Sequence, residues 1–318
     1  MTGAAMGLSV VLAAHFAGST AGALAARAAW AVRGRGQGTA AARRLLRVRL
    51  APTALGAALA LGVVAPAFFL FEPRNAGERM TLSLGLLALG GLALVATAVT
   101  RVLRELVQTR RLVRGWERTA RPVPLPACPV PAFSVATVFP VVAVTGVVRP
   151  RLFVSAALLR RLTPAELSAV VGHEIGHLRA RDNLKRLLLR ACVDVFAWTG
   201  LGPELDERWH EAVEDAADDH AVRGSGAARL DLADALLKVA RLSGSLDLAC
   251  PASALFRGER VARRVRRLLA DPCMGPARTA PVWQAAVPGA AALAAAFTLA
   301  TTSPAVHAFF EKVVRALP

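Results

Sequence analysis

The stretch LSAVVGHEIGHLRARDNL, residues 167–184, holds a histidine at position 173, a glutamate directly after it and a second histidine at position 177. Upstream, residues 162–166 read LTPAE. This is a strong helix start, because the threonine can cap the helix, the proline suits its first position and the glutamate completes a capping box. We therefore predict a helix that carries His173 and His177 on one face, about one turn apart.

Two imidazoles one turn apart can bind the same tetrahedral zinc ion, and Glu174 is placed to take a proton from the water that the zinc activates. A surface helix that carries two histidines by chance is the alternative. The helix cap, the apolar neighbours and a total of six histidines in the chain favour a metal site at His173 and His177. Gly172 and Gly176 cost helix propensity, which fits a place where substrate or a second backbone approaches closely. We predict zinc as the cofactor.

The chain of 318 residues is 55% hydrophobic, with a mean hydropathy of +0.46 and a net charge of +17. That hydropathy is typical of a protein that lies partly in lipid. A large positive charge can indicate nucleic-acid binding, but in a membrane protein it more often marks cytoplasmic loops that face anionic lipid. We expect membrane lipid as a partner and no direct binding of nucleic acid. The four scattered cysteines fit free thiols in a reducing compartment.

Four apolar segments are long enough to cross a bilayer, which takes about 20 residues. They cover residues 4–26, 50–71, 81–100 and 282–302. A fifth apolar run, residues 187–200, is shorter and contains Arg190 and Asp194. We expect it to form a buried or membrane-grazing helix, on which these two side chains, four positions apart, pair with each other.

Arginines are distributed unevenly between the apolar segments and predict their orientation. Residues 33–49 contain six arginines and no acid, and residues 101–121 contain seven arginines. The loop between the second and third segments has two arginines, matched by two acids. Because strongly basic loops stay in the cytoplasm, we expect both termini outside and residues 101–281 inside. The basic segment 259–272 is expected to lie as a helix on the inner leaflet.

The predicted cytoplasmic part begins with strand-like sequence. Residues 133–148 and 151–155 are rich in β-branched side chains and are broken at Gly146 and Pro150, which predicts two or three short strands of a small antiparallel sheet. We expect the segment VVRPRLFVS, residues 147–155, to hold an extended substrate by pairing at the edge of this sheet.

A third metal ligand can be sought in residues 208–222, RWHEAVEDAADDHAV, which contain five acids. On a helical wheel the apolar residues cluster on one face, and Glu214 is the acid nearest to that face. Glu214 is therefore the best candidate ligand, and Asp218, one turn later, suits a hydrogen bond to a ligand histidine. His220 falls in the middle of the apolar face, either as a core histidine or as a site residue. We assign three acids to a solvated face: Glu211, Asp215 and Asp219.

The residues HEIGHLRARDNL, followed by EAVEDAADDHAV, resemble the integral-membrane gluzincin peptidases of the BlaR/MecR antirepressor type. They are also similar to the CAAX-protease/HtpX-like zinc peptidases. The resemblance implies that Glu174 is the general base, that Asp218 orients a ligand histidine, and that the zinc ligands are His173, His177 and Glu214. It matches Asp182 to an aspartate of the family, for which we expect a capping or scaffold role.

These observations predict a mainly α-helical membrane protein, with four transmembrane helices and a cytoplasmic α+β gluzincin protease domain inserted between the third and the fourth. The predicted parts are three transmembrane helices in residues 1–100 with a basic cytoplasmic loop at 33–49, the protease domain in 101–281, the fourth helix in 282–302 and a short external tail in 303–318. The location would be the cell membrane, crossed several times.

The predicted function is zinc-dependent hydrolysis of peptide bonds in protein or peptide substrates on the cytoplasmic side. We expect it to serve regulated signalling, with a substrate such as a cytosolic transcriptional repressor. The alternatives are an HtpX-like enzyme of membrane-protein quality control and a non-catalytic scaffold with structural zinc, which Glu174 disfavours because a structural site needs no general base. The chain has no tyrosine, so His210, His220, an arginine or backbone amides would have to stabilise an oxyanion.

Overall fold

A computed structural model describes residues 3–33, 38–71, 80–125, 128–137, 139–195, 201–223, 225–244 and 258–270, together with residues 308 and 312. The predicted fourth span, residues 282–302, lies outside the described residues, as does most of the predicted tail.

Three helices in the described part of the chain are long and apolar enough to cross a membrane: Ala4–Ala28, Gly38–Leu70 and Leu82–Glu117. The first lies within α1 (Gly3–Arg33). The second runs through α2 (Gly38–Leu59), a π-helical segment (Ala60–Val64) and α3 (Ala65–Phe71), and the third is α4 (Leu82–Glu117). They match the first three spans predicted from the sequence.

Helix α1 packs closely against α2 and α4 at glycine positions. A Cβ atom added at Gly91 would lie 2.1 Å from the carbonyl oxygen of Leu12, and one added at Gly56 would lie 2.6 Å from that of His15. Small residues permit such close backbone contacts between membrane helices. The outward sides carry exposed apolar residues such as Leu82, 79% exposed, as expected for contact with lipid.

The prediction of a basic loop at residues 33–49 is wrong for residues 38–49, which form the first half of α2. The chain is helical from Gly38 onward, and its small apolar side packs on the fully buried Trp209 through residues that include Ala42 and Leu45. Apolar residues three and four positions apart form such a face on a helix. This half of α2 therefore contacts protein.

Arg49 is buried at the end of this contact. Its guanidinium lies 2.9 Å from Asp194 and 2.7 Å from Asp206. The predicted pair of Arg190 with Asp194 is wrong, because the helix that carries Arg190 ends one residue later and the two side chains no longer share a helical face. Arg190 lies 3.3 Å from Glu105 of α4 instead.

Four short strands form one mixed sheet: β1 (Arg121–Pro122), β2 (Ala132–Val135), β3 (Val142–Thr145) and β4 (Arg151–Ser155). The order is β1-β2-β4-β3, with β2 and β4 parallel and the other pairs antiparallel. The expectation of a purely antiparallel sheet is therefore wrong. Leu152 and Val154 of β4 are 0% exposed, and a central position gives these residues the most complete burial.

Because β4 pairs on both sides, it offers no free edge. The substrate edge predicted for residues 147–155 is therefore wrong. The outer strands of the sheet are β1 and β3, and the open edge of β3 is the one that Glu174 contacts.

Six further helices are described: α5 (Ala156–Arg161), α6 (Pro164–Ala180), α7 (Asp182–Ala191), α8 (Leu201–Val222), α9 (Gly226–Gly244) and α10 (Gly258–Ala270). The sheet and several of these helices share one apolar core, which includes Leu152, Leu158, Val170, Leu232 and Val265.

Helix α6 begins as the sequence predicts. The hydroxyl of Thr163 accepts a hydrogen bond of 3.2 Å from the N–H of Glu166, and the Glu166 carboxylate accepts one of 2.9 Å from the N–H of Thr163. Pro164 is the first helical residue. The helix ends at Arg181 in the left-handed conformation, with φ of 55°, and α7 begins at the next residue.

Helix α10, in the segment 259–272 for which we predicted a helix on the inner leaflet, packs on protein through one of its faces. Val261 and Val265 are buried in the core. Four of its arginines pair with acids of α8: Arg260, Arg263, Arg264 and Arg267. Asp215 and Asp219, which we predicted on a solvated face, are partners in these pairs, and Asp215 is only 4% exposed. This side of α8 is a contact between helices because the opposite charges complement each other.

Candidate metal centre

Helices α6 and α8 bring together the three side chains that the sequence nominated as ligands: His173, His177 and Glu214. Nε2 of His173 is 3.5 Å from Oε2 of Glu214, and Nε2 of His177 is 3.5 Å from its Oε1. One ligand atom from each residue lies within 4.8 Å of the others. Two imidazoles and one carboxylate are a donor set of catalytic zinc sites.

Two glycines of α6 permit this meeting of helices. A Cβ atom added at Gly176 would lie 3.1 Å from Cα of Ala217 and 3.1 Å from Cβ of His220. One added at Gly172 would lie 3.4 Å from Cα of Ala221. The glycines therefore face the backbone of α8, as expected where a second backbone approaches closely.

Each histidine is oriented by a buried aspartate. Nδ1 of His173 lies 2.9 Å from Asp218, and Nδ1 of His177 lies 2.9 Å from Asp182. An ionised carboxylate only accepts hydrogen bonds, so each Nδ1 carries a proton. In the neutral rings the two Nε2 lone pairs then face each other across 3.1 Å. Like partial charges at this distance repel, and either a proton on one Nε2 or a shared metal cation removes the repulsion. With Glu214 beside them, the two nitrogens form a donor set that fits a zinc ion.

The electrostatics of the site also favour a cation. Burial and the neighbouring Arg264 lower the pKa of His173, but hydrogen bonds to Asp218 and Glu214 outweigh them and raise it to about 9. Burial raises the pKa of Glu214, yet Arg264 and the two histidines hold it well below 4.5. A proton on His173 and a metal ion satisfy the same negative surroundings, so metal binding must displace that proton.

Glu174 lies next to His173 and faces the sheet. Its carboxylate accepts a hydrogen bond of 2.8 Å from the backbone N–H of Val144 in β3. Asn183 of α7 donates from its side-chain amide to the carbonyl of Val144 at 2.9 Å and to that of Gly146 at 3.2 Å. The candidate base therefore lies at the open edge of the sheet.

Asp182 has a closer connection to the site than the capping or scaffold role expected for it. Besides His177, it contacts the ammonium of Lys185 at 2.9 Å. Burial raises the pKa of Asp182, but the hydrogen bond from His177 and the charge of Lys185 lower it below its ordinary value. Asp182 therefore stays ionised and can hold the His177 ring.

Asp218 is 0% exposed and is paired with a residue that the sequence did not reveal, Arg264 of α10. The two are 2.5 Å apart. Burial raises the pKa of Asp218, but Arg264 and His173 bring it to about 2. The sequence shows a cluster of arginines around position 264, with no signal to tell which one reaches the site.

His220 is not among the three converging ligands, and it is half-buried instead of central in the core. Its Nδ1 is 2.6 Å from Arg223, and its Nε2 is 3.5 Å from Arg179. Burial and the two arginines lower its pKa to about 4. The helical wheel predicted His220 in the middle of the apolar face of α8. This position lies beside the C-terminal part of α6, where charged side chains cover α8.

Comparison with known proteins finds a similarity in the central part of the chain. Residues 108–243 match the family model described as Peptidase family M48. The matched segment makes up less than half of the chain. It includes all of α6 and α8, and therefore the three candidate ligands, and it ends before α10.

The chain is also similar to Protease HtpX homolog 2 of Sulfurisphaera tokodaii, with 49% identity over 45 residues. The aligned part covers 14% of this chain and 14% of that protein. No solved structure gives a significant match. Of the two resemblances seen in the sequence, these matches support the HtpX-like membrane metallopeptidase.

Proposed function

We propose that this chain is a zinc-dependent endopeptidase of the membrane that hydrolyses protein substrates. The observation that carries the proposal is the convergence of His173, His177 and Glu214, with both Nδ1 atoms held by aspartates. Such anchoring is typical of metal-binding histidines, whose second nitrogen bonds a carboxylate. The membrane attachment rests on the three long apolar helices.

In the proposed reaction, the metal and the side chains of the protein have different roles. His173, His177 and Glu214 would hold a zinc ion, which would supply a Lewis acid for the scissile carbonyl and lower the pKa of a water molecule. The Glu174 carboxylate would take a proton from the attacking water and pass it to the leaving amine. Its hydrogen bond to Val144 holds the carboxylate beside the sheet edge, where a substrate backbone would lie.

Arg186 of α7 is our candidate for stabilising the oxyanion. Its Nη2 lies 3.9 Å from Oε1 of Glu214, and 33% of its side chain is exposed. Its buried Nε has no hydrogen-bond partner among the described residues. A guanidinium with unused donors beside a metal ligand can bind developing negative charge. Arg186→Met should therefore lower kcat more than it changes KM.

The proposal is tested with purified protein in detergent, by measuring zinc content and cleavage of an unfolded protein. Glu174→Gln should keep one equivalent of zinc and lose hydrolysis. Glu214→Ala should lose both, and the control Glu211→Ala should keep both. Cleavage by Glu174→Gln at the wild-type rate, or full zinc occupancy in Glu214→Ala, would refute the assignment.

The orientation is also a proposal. The first half of α2 packs on α8, and α4 runs directly into the sheet at β1. These contacts support a location of the basic segment 33–49 and the metal centre on the same side of the membrane. The arginine distribution supports the cytoplasm as that side. A reporter fused after residue 200 should be active in the cytoplasm, and one fused after Pro318 should be active outside. The reverse result would place the substrates outside.

We favour regulated signalling proteolysis, with a cytosolic repressor as the candidate substrate. Membrane-protein quality control is the second candidate function because of the HtpX-like relative. Comparing the proteomes of cells with wild-type protein and with Glu174→Gln separates them. Loss of a single cleavage product supports signalling, whereas partial changes in many membrane proteins support quality control.

A further inference from the structure

Arg264 is a buried arginine that touches two of the acids at the candidate metal centre. Its Nε and Nη2 atoms lie 2.9 and 2.5 Å from the two carboxylate oxygens of Asp218. Its Nη1 lies 3.0 Å from Oε2 of Glu214. One planar guanidinium therefore joins a proposed metal ligand to the aspartate that orients another, and such two-pronged contacts fix geometry as well as charge.

The two histidines of the centre are supported in parallel ways. His177 is held by Asp182, whose partner Lys185 lies three residues later in the same chain segment. His173 is held by Asp218, whose partner lies 46 residues later on a separate helix. Because Asp218 is fully buried, losing its cation would leave an uncompensated charge next to the site.

We infer that Arg264 is a positioning residue of the metal centre, which holds Asp218 and Glu214 so that His173 and Glu214 face the metal. The inference rests on the proposed zinc site. It assigns a role in that site to α10, which lies beyond the segment matched by the family model.

Two neighbouring arginines of α10 make it possible to distinguish a positioning role of Arg264 from a role in attaching α10 to α8. Arg263 lies 2.8 Å from Asp215, and Arg267 contacts Asp219. Neither acid is among the three converging ligands. Arg263 is therefore a matched control, since it attaches the same helix to α8 through a buried acid without touching a ligand.

The test compares Arg264→Gln, Arg264→Lys and Arg263→Gln in the full-length protein, with zinc affinity measured by competition with a chelator. We expect Arg264→Gln to weaken zinc binding about 10- to 100-fold, as loss of an outer hydrogen-bond partner of a metal site does. Arg264→Lys should be intermediate, because an ammonium cannot reproduce the two-pronged contact. Arg263→Gln should bind zinc like wild type, although it loosens the same helix.

A second comparison tests whether Arg264 affects zinc binding through Asp218. Asp218→Asn and Asp218→Asn combined with Arg264→Gln should differ in zinc affinity by much less than the effect of Arg264→Gln alone. Equal losses of affinity in Arg263→Gln and Arg264→Gln would show that Arg264 only docks the helix. Unchanged or tighter zinc binding in Arg264→Gln would also overturn the inference, since its charge would then merely repel the metal. Wild-type protein that binds no zinc is a distinct result and refutes the proposed centre itself.

Discussion

The carboxylate of Glu174 accepts its hydrogen bond from the N–H of Val144, 2.8 Å away on the open edge of the sheet. The register shows which other groups share that edge. Ser155 of β4 donates to the carbonyl of Val141 at 2.7 Å, so residue 141 faces β4 and, by the alternation of an antiparallel pair, Val142 and Val144 face away from it.

We predict that Val142→Pro raises KM about 5- to 10-fold with little change in kcat, as expected for loss of one backbone hydrogen bond to an extended substrate. Proline is tolerated there because the N–H it removes does not pair with β4. Steady-state kinetics with a peptide substrate measure the effect. Val148→Pro is the control, because Val148 is 89% exposed outside the strands. Equal KM values for Val142→Pro and wild type would exclude pairing at this edge.

Two glycines of α6 lie against α8, and we predict different effects of alanine substitutions at these two positions. Gly176→Ala should weaken zinc binding, because its Cβ would press on Ala217 and His220 at 3.1 Å and move α8, with Glu214, away from the histidines. Gly172→Ala should leave zinc binding unchanged and increase stability by up to about 1 kcal/mol, since 3.4 Å is an ordinary contact and alanine favours the helix. Zinc titration and thermal unfolding separate the two outcomes, and identical behaviour of both variants would contradict the argument.

The buried contact between the membrane helix α2 and the catalytic part yields a stability prediction. Arg49→Met should lower the free energy of unfolding by about 3–5 kcal/mol, because it removes the cation beside Asp194, which is 3% exposed. Adding Asp194→Asn should restore part of the loss. Denaturant unfolding in detergent measures both, with the exposed Arg47→Met as a control expected within about 0.5 kcal/mol of wild type. A loss no larger than that of Arg47→Met would show that the pair is not structurally important.

Glu166 at the start of α6 predicts a dependence of stability on pH. Burial raises its pKa, but Lys238 and the backbone of Thr163 lower it below the ordinary 4.5. A carboxyl whose pKa falls on folding stabilises the protein above its unfolded pKa, and this contribution is lost as the pH falls through the lower, folded value. Between pH 7 and about pH 3, wild type should therefore lose more stability than Glu166→Gln.

Unfolding midpoints across this range test the Glu166 prediction. Glu204→Gln is a control that should follow the wild-type curve, because Glu204 and Arg208 form an exposed pair and such pairs contribute little. Parallel curves for wild type and Glu166→Gln would rule out the proposed contribution.

Local sequence determined much of the candidate metal centre. Thr163, Pro164 and Glu166 begin α6 through contacts within a few residues, and the helical repeat then places His173 and His177 one turn apart. The same repeat on α8 ranked Glu214 above the other acids. The three helices long and apolar enough to cross a membrane were predictable for a similar reason, since length and hydropathy are properties of a continuous segment.

Tertiary structure decided which charges meet. Arg49 and Asp194 are 145 residues apart in sequence, and Arg264 and Asp218 are 46 apart, so no helical or strand repeat relates them. The position of β4 inside the sheet likewise depends on its pairing with β2 on one side and β3 on the other. A periodic pattern fixes the side of a helix or strand on which a residue lies, whereas its partner depends on which elements pack together, and that is determined only by the folded chain as a whole.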